Sequence, residues 1–159
     1  MKNILEIKNL SFKYSEAAPV ILDSINMEIA EGSITAIAGL SGCGKSTLAF
    51  CMCGAIPKVI SGIVSGNIMY KGEDINTKSL PTLAQKIGIV FQDVDNQLFL
   101  PTVDAEIAFA PENLCLSYEE IEKIVQEVAA ALGIENLKHK NPSLLSGGEK
   151  QLVAIASVL

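Results

Sequence analysis

The chain has 159 residues, 49% of them apolar, which is enough to bury one hydrophobic core and too few to make two independent domains the expectation. Its 12 basic and 18 acidic residues leave a net charge of -6 without a basic cluster, which argues against nucleic acid as a partner. The opening MKNILEIKN meets Glu6 before any apolar run develops, so no secretory leader is expected and the chain is placed in the cytosol.

The uncharged stretches 46–57 and 59–70 are broken by glycine and proline and fall short of the roughly 20 apolar residues of a membrane span. Any membrane role is therefore expected to come through a separate partner. Cys43, Cys51, Cys53 and Cys115 lack the paired spacing of a zinc site and are expected as free thiols.

In chain order, residues 5–14 alternate like a half-buried strand with Leu10, Phe12 and Tyr14 on one face. Residues 25–29 repeat the pattern, and the two are expected to pair antiparallel at one edge. Residues 34–38 are short and apolar apart from Thr35 and run straight into a glycine-rich turn, as a buried parallel strand feeding a helix does. That helix is expected over 45–53, stopping near Gly54 and Pro57.

A strand over 67–70, a Lys71-Gly72 turn and a second buried strand over 87–91 follow, with Gln92 just past its end. Between 117 and 132 the apolar residues Ile121, Ile124, Val125, Val128 and Leu132 keep helical spacing behind a Ser117/Glu120 capping box, and Gly133 is the stop. A last helix is expected to begin at Ser146 and is still apolar and periodic at Leu159.

Residues 39–47 read GLSGCGKST, the G-x-x-x-x-G-K-[ST] pattern, between an expected strand and an expected helix. Gly39, Gly42 and Gly44, with Leu40, Ser41 and Cys43 between them, let the backbone wrap an anion closely, so that successive N–H groups point at phosphates and the helix dipole adds to them. Lys45 is expected to reach the β- and γ-phosphates, Ser46 to ligate Mg²⁺, and Thr47 to support the α-phosphate end of ATP. Cys43, beside Lys45 and between glycines, is expected to be the most reactive cysteine.

Residues 145–151 read LSGGEKQ: Leu145, Ser146, Gly147, Gly148, Glu149, Lys150 and Gln151. Ser146 and Glu149 form a second capping box, so a helix begins here with its N–H groups free to meet an anion, and the glycines leave the backbone open. Together the two motifs resemble ABC transporter nucleotide-binding domains. The fold this implies is α/β, a P-loop NTPase of the ABC type with an antiparallel β subdomain, a parallel core sheet and a helical subdomain. Residues 1–92 would carry the P-loop and β subdomain, 93–145 the helical subdomain, and 146–159 the start of the signature helix.

The resemblance implies that 145–151 of one subunit closes on the γ-phosphate held by the P-loop of a second ATPase domain, in a head-to-tail dimer. It also places Gln92 at Mg²⁺ and the attacking water, and Tyr14 against adenine. Leu152 stands where the family usually carries arginine. The stretch 91–113, FQDVDNQLFLPTVDAEIAFAPEN, is similar to the ATPase subunits of energy-coupling factor transporters, which import vitamins and metal ions such as cobalt. That likeness implies a transmembrane energy-coupling subunit as partner and a place on the cytoplasmic face of the membrane. The spacing through IPKVISGIVSGNIMYKG further resembles the first half of tandem two-ATPase subunits.

The family pattern continues with an Asp, a catalytic Glu and a switch His that do not occur before Leu159, so a C-terminally truncated fragment that binds nucleotide poorly and hydrolyses it negligibly is expected. His139, the single histidine, precedes the signature and is expected to be a solvated loop residue. Two other readings stay open. One is a non-hydrolysing nucleotide-binding fragment. The other is a chromosome-maintenance or repair ATPase, whose long coiled coils contrast with the heptad-free stretch of about a hundred residues between the motifs here.

Overall fold

The computed structural model describes residues 2–159, so Met1 of the expected 1–92 subdomain lies outside the described residues. The chain divides into two compact units, the first ending at Ile87 and the second spanning Gly88–Leu159. Gln92 thus falls in the second unit.

In the first unit, β1 (Asn3–Lys13) lies between β2 (Leu22–Ala30) and β3 (Ile63–Tyr70), both antiparallel to it. The two-residue β4 (Glu73–Asp74) closes the edge beyond β3. The buried residues of β1 are Leu5 and Ile7, then Leu10 and Phe12. This change from odd to even positions would turn half the strand outward in a regular ladder. A bulge prevents it: the register slips after Ile7, with Asn9 at φ 51. Asn26 holds the bulge, its Oδ1 accepting the Asn9 N–H at 3.0 Å and its Nδ2 donating to Asn9 Oδ1 at 3.2 Å.

Against the buried face pack α1 (Lys45–Met52) through Leu48 and Cys51, and the short turn α2 (Ala55–Lys58) through Ile56. Ile75 and Leu83, the latter from α3 (Leu80–Ala84), complete this core. Each fully buried leucine, isoleucine or phenylalanine here contributes about 1.5–3 kcal/mol.

The two segments expected as buried parallel strands, 34–38 and 87–91, form no ladder with any described residue. Ile34 is fully exposed, and Ile37, Val90 and Phe91 are 41%, 39% and 46% exposed. An apolar run becomes a strand only where a neighbouring backbone takes up its N–H and C=O groups, and every ladder among the described residues is antiparallel and belongs to β1–β4.

The second unit is helical: α4 (Val103–Asn113), α5 (Tyr118–Leu132) and α6 (Gly147–Ala156) enclose a core that includes Val103, Ile107, Val125, Ala129 and Val153. The start of α5 is the reciprocal box its sequence implies. Ser117 Oγ accepts the Glu120 N–H at 3.3 Å, while Glu120 Oε2 accepts the Ser117 N–H at 2.9 Å. Gly133 ends the helix in the left-handed conformation. α4 has no counterpart among the periodic segments of the sequence, since its apolar residues do not gather into one face and Pro111 lies in its last turn. Its Glu106 is buried and accepts the Leu100 N–H, tying the preceding loop to the helix start.

Candidate nucleotide site

Residues 39–43 form an open, exposed loop that ends at the N-terminus of α1. Two glycines shape it. Gly42 has φ +80 and Gly44 φ +95, a region L side chains rarely adopt. The loop is braced by the Cys43 N–H donating to the Leu40 carbonyl at 3.3 Å.

Lys45 folds back over this loop, its Nζ donating to the carbonyls of Gly39 at 3.0 Å and Leu40 at 2.7 Å and lying 3.6 Å from Cys43 Sγ. An ammonium has three donors, and the third is spent here only on the weak thiol acceptor of Cys43, which an anion can readily replace. The N–H groups of the first turn of α1 have no intrahelical acceptor, and no side chain caps them. In contrast, α3, α5 and α6 each carry a serine cap. Ser46 is exposed in that first turn, while Thr47 is buried.

Tyr14 is half-exposed and meets Phe12 edge-on, with ring centroids 4.8 Å apart at 81°. Phe12 pairs with Leu22 across the ladder, and a Cβ on Gly44 would lie 3.1 Å from both Leu22 Cδ2 and the Ile21 carbonyl. The ring and the end of the loop therefore flank the same corner of the sheet.

The second motif lies in the second unit. Leu145 is buried and anchors it, while Ser146, Gly147, Gly148 and Gln151 are exposed. Ser146 caps α6 and Glu149 closes the box, its Oε2 accepting the Ser146 N–H at 2.8 Å and the Ser146 hydroxyl at 2.7 Å. The serine hydroxyl and backbone N–H, with a smaller contribution from Lys140, hold the Glu149 carboxyl below its ordinary range. The carboxylate is thus committed to the cap. A Cβ at Gly147 or Gly148 would meet nothing within 4 Å, so no local crowding requires glycine at either position.

Gln92 is exposed in the loop before a short turn, Val94–Asn96. The Phe91 N–H on one side of it donates to the Gln97 side-chain oxygen on the other at 2.9 Å. Lys150 bonds the Asp95 carboxylate. Asp95 belongs to the 91–113 stretch that carries the energy-coupling factor resemblance, but its bond to Lys150 is not legible in the sequence, where no local pattern joins residues 55 positions apart.

His139 is exposed, with Nδ1 3.1 Å from the Asp104 carboxylate. Burial raises the Asp104 carboxyl, but hydrogen bonds from Thr102, the Ala105 N–H and His139 outweigh it and leave the group below its ordinary value. Among the described residues no group of three or more His, Cys, Asp or Glu gathers as a metal site. A divalent ion that keeps several waters and takes phosphate oxygens as further ligands fits a single exposed hydroxyl such as that of Ser46.

A glycine-shaped loop that ends in a lysine at an uncapped helix start is the working part of a P-loop nucleotide-binding protein. The chain belongs to the ABC transporter family, whose model matches residues 22–159. An ABC transporter ATP-binding protein of Caldanaerobacter subterraneus is 42% identical over 96% of this chain and 27% of its own length. A Bacillus subtilis protein named for HMP/thiamine import, YkoD, is 40% identical over 98% of this chain and 29% of its own length.

The solved structure of cbiO1 from Clostridium perfringens, part of the ABC transporter complex cbiONQ, superposes with a TM-score of 0.87 at 38% identity, covering 100% of this chain and 62% of that one. The chain accordingly has the ABC ATPase fold. It spans only about a quarter to just over half the length of the curated relatives, from 25% to 56%.

Proposed function

We infer that this chain is the ATP-binding part of an import-type ABC transporter, of the energy-coupling factor kind that serves a vitamin or a metal ion. The observation that carries the reading is Lys45 held across a loop with two left-handed glycines, above an α1 N-terminus that no side chain caps. Such a loop suits a polyphosphate and little else, because several backbone donors and one cation converge without a wall of side chains. The name of YkoD supports import, cbiO1 is part of an ABC transporter complex, and the energy-coupling kind rests on the resemblance of residues 91–113.

In this reading Gly39, Leu40, Ser41, Gly42, Cys43 and Gly44 line the phosphate cradle, Lys45 takes the β- and γ-phosphates, and Thr47 backs the α-phosphate end. Ser46 is the loop's own group for Mg²⁺, which when bound neutralises charge on the phosphates, and Gln92 takes its role at the ion and the attacking water from the family resemblance alone. Tyr14 offers a half-exposed ring to adenine. In the motif at 145–151, the exposed Ser146, Gly147, Gly148 and Gln151 meet the γ-phosphate on a second ATPase domain while Leu145, Glu149 and Lys150 hold the helix start in place, and hydrolysis belongs to that pair of domains.

The pair would sit on the cytoplasmic face of a membrane against a transmembrane coupling subunit. No helix among the described residues is long and apolar enough to cross a membrane. Titration of a fluorescent ATP analogue into the chain tests the central claim. Lys45→Ala is expected to weaken binding at least about tenfold, since it removes the charge-assisted bonds to phosphate. Equal affinity in the two proteins would refute the site.

A further inference from the structure

We propose that the Asp95–Lys150 ion pair is a positioning link that fixes the Gln92 loop to the signature helix, so that docking at the start of α6 is passed to Gln92. The proposal deepens the reading given under Proposed function and rests on it for the role of Gln92. Lys150 lies one turn into α6 with its side chain 16% exposed, so packing sets where its ammonium goes. Its partner Asp95 sits in the short turn just after Gln92 and is 69% exposed.

The turn is itself braced: Asn96 Nδ2 donates to Asp93 Oδ2 at 2.7 Å, and the Phe91 N–H to Gln97 Oε1 at 2.9 Å, closing the loop around Gln92. At its other end the segment is pinned as well. Gly88 lies so close to the end of α6 that a Cβ there would stand 2.9 Å from the Val158 carbonyl oxygen. The segment 88–97 is therefore held by Lys150 of α6 and by Val158 two residues past that helix, and Gln92 lies between the two contacts.

The pair adds little stability, because a partner this exposed is screened by water. What it supplies is register: with Gly88 against Val158 and Asp95 on Lys150, the loop has no freedom to slide along the helix. A shift of the α6 N-terminus when an anion docks at Ser146–Gly148 is then carried through Lys150 to the turn that holds Gln92.

Amide hydrogen exchange on the 159-residue chain without nucleotide tests the link. Asp95→Asn, nearly isosteric, is expected to raise exchange at Phe91 and Gln97 by roughly two- to fivefold, the range of an exposed ion pair, and to leave Val125 and Ala129 unchanged. Added salt is expected to do the same in the unsubstituted chain. The swapped pair Asp95→Lys with Lys150→Asp should recover protection that either single change loses. Unchanged exchange in Asp95→Asn, or a swapped pair no better than the singles, overturns the link.

A second arm measures association driven by Mg-ATP in the ultracentrifuge. Asp95→Asn is expected to bind a fluorescent ATP analogue normally but to associate roughly two- to fivefold more weakly, in proportion to its loosened loop. Loosened exchange with unaltered association overturns the coupling role. If the unsubstituted chain binds the analogue yet never associates, the paired-subunit reading falls and the coupling with it, while the exchange arm still judges the link.

Discussion

Replacing Gly44 and Gly42 by alanine, separately, asks whether the phosphate loop is shaped by its own backbone or by what it packs on. Both glycines have positive φ, +95 and +80, so each alanine incurs a conformational cost of about 1–2 kcal/mol. Their surroundings differ. A Cβ on Gly42 meets nothing within 4 Å, whereas one on Gly44 lies 3.1 Å from the Ile21 carbonyl, 3.1 Å from Leu22 Cδ2 and 3.2 Å from Ile21 Cγ2.

The carbonyl is backbone and cannot swing away, and Leu22 is buried opposite Phe12, so relief requires the chain at residues 21–22, where β2 begins, to give by a few tenths of an ångström. Overpacking of this kind adds about 1–3 kcal/mol. Gly44→Ala is therefore expected to destabilise the first unit by about 2–5 kcal/mol, and Gly42→Ala by only the conformational 1–2 kcal/mol. Urea unfolding followed by circular dichroism, with amide exchange at Ile7 and Leu10 as the local probe, measures the difference. At a urea slope of about 1–3 kcal/mol/M the two midpoints should separate by roughly 1 M. Equal midpoints, or a larger loss at Gly42, would refute the packing of the loop end against β2.

Four further outcomes are expected. Gly147→Asp should leave the melting temperature unchanged or slightly raised, since the site is open and an acid suits a helix N-terminus, while abolishing Mg-ATP-driven association; association at the unsubstituted level would rule out docking there. Glu120 lies below its ordinary 4.5 through the backbone N–H and hydroxyl of Ser117, and Glu149 through the hydroxyl and backbone N–H of Ser146. Depressed carboxyls contribute stability that is complete above 4.5 and is lost as pH falls through their lowered values, so helix content should fall in that acid window. Ser146→Ala should cost about 0.5–2 kcal/mol at neutral pH and flatten that acid response, as read by circular dichroism. A maleimide should label exposed Cys43 and Cys115 first, because Cys51 and Cys53 are buried and burial, with Cys53 beside it, pushes the Cys51 thiol up to about 11. Mg-ATP should protect Cys43 alone, as mass spectrometry of the labelled chain would show.

What was legible in the sequence was local. The capping boxes at Ser117 and Ser146 and the stop at Gly133 use residues within one turn of each other, so spacing alone locates them. The antiparallel pairing of β1 and β2 follows from alternation over a short loop. The phase slip between Ile7 and Leu10 is also written in the sequence, but its meaning as a bulge depends on Asn26 across the ladder.

What stayed hidden was non-local. Segments 34–38 and 87–91 have strand composition, yet a ladder needs a second backbone and none of the described residues supplies it. α4 escaped because its apolar residues are spread around the helix, Phe109 and Ala110 being exposed, while Glu106 on the buried face turns inward to the Leu100 N–H, against the usual placement of a charged residue.

Glycine has two different causes in this chain, and the difference bears on how the site can be proved. At Gly42 and Gly44 the reason is internal, since the backbone angles exclude most other residues whether or not a nucleotide is present. At Gly147 and Gly148 the structure supplies no such reason: both begin a helix, where glycine is among the poorest formers, and a side chain would meet open space. A residue that weakens its own helix without relieving any crowding points to something outside the chain that must come close. The two motifs are therefore unequal witnesses to function. The first can be judged on this chain alone by binding and stability, whereas the docking role proposed for the second needs a partner surface, so association is the measurement that tests it.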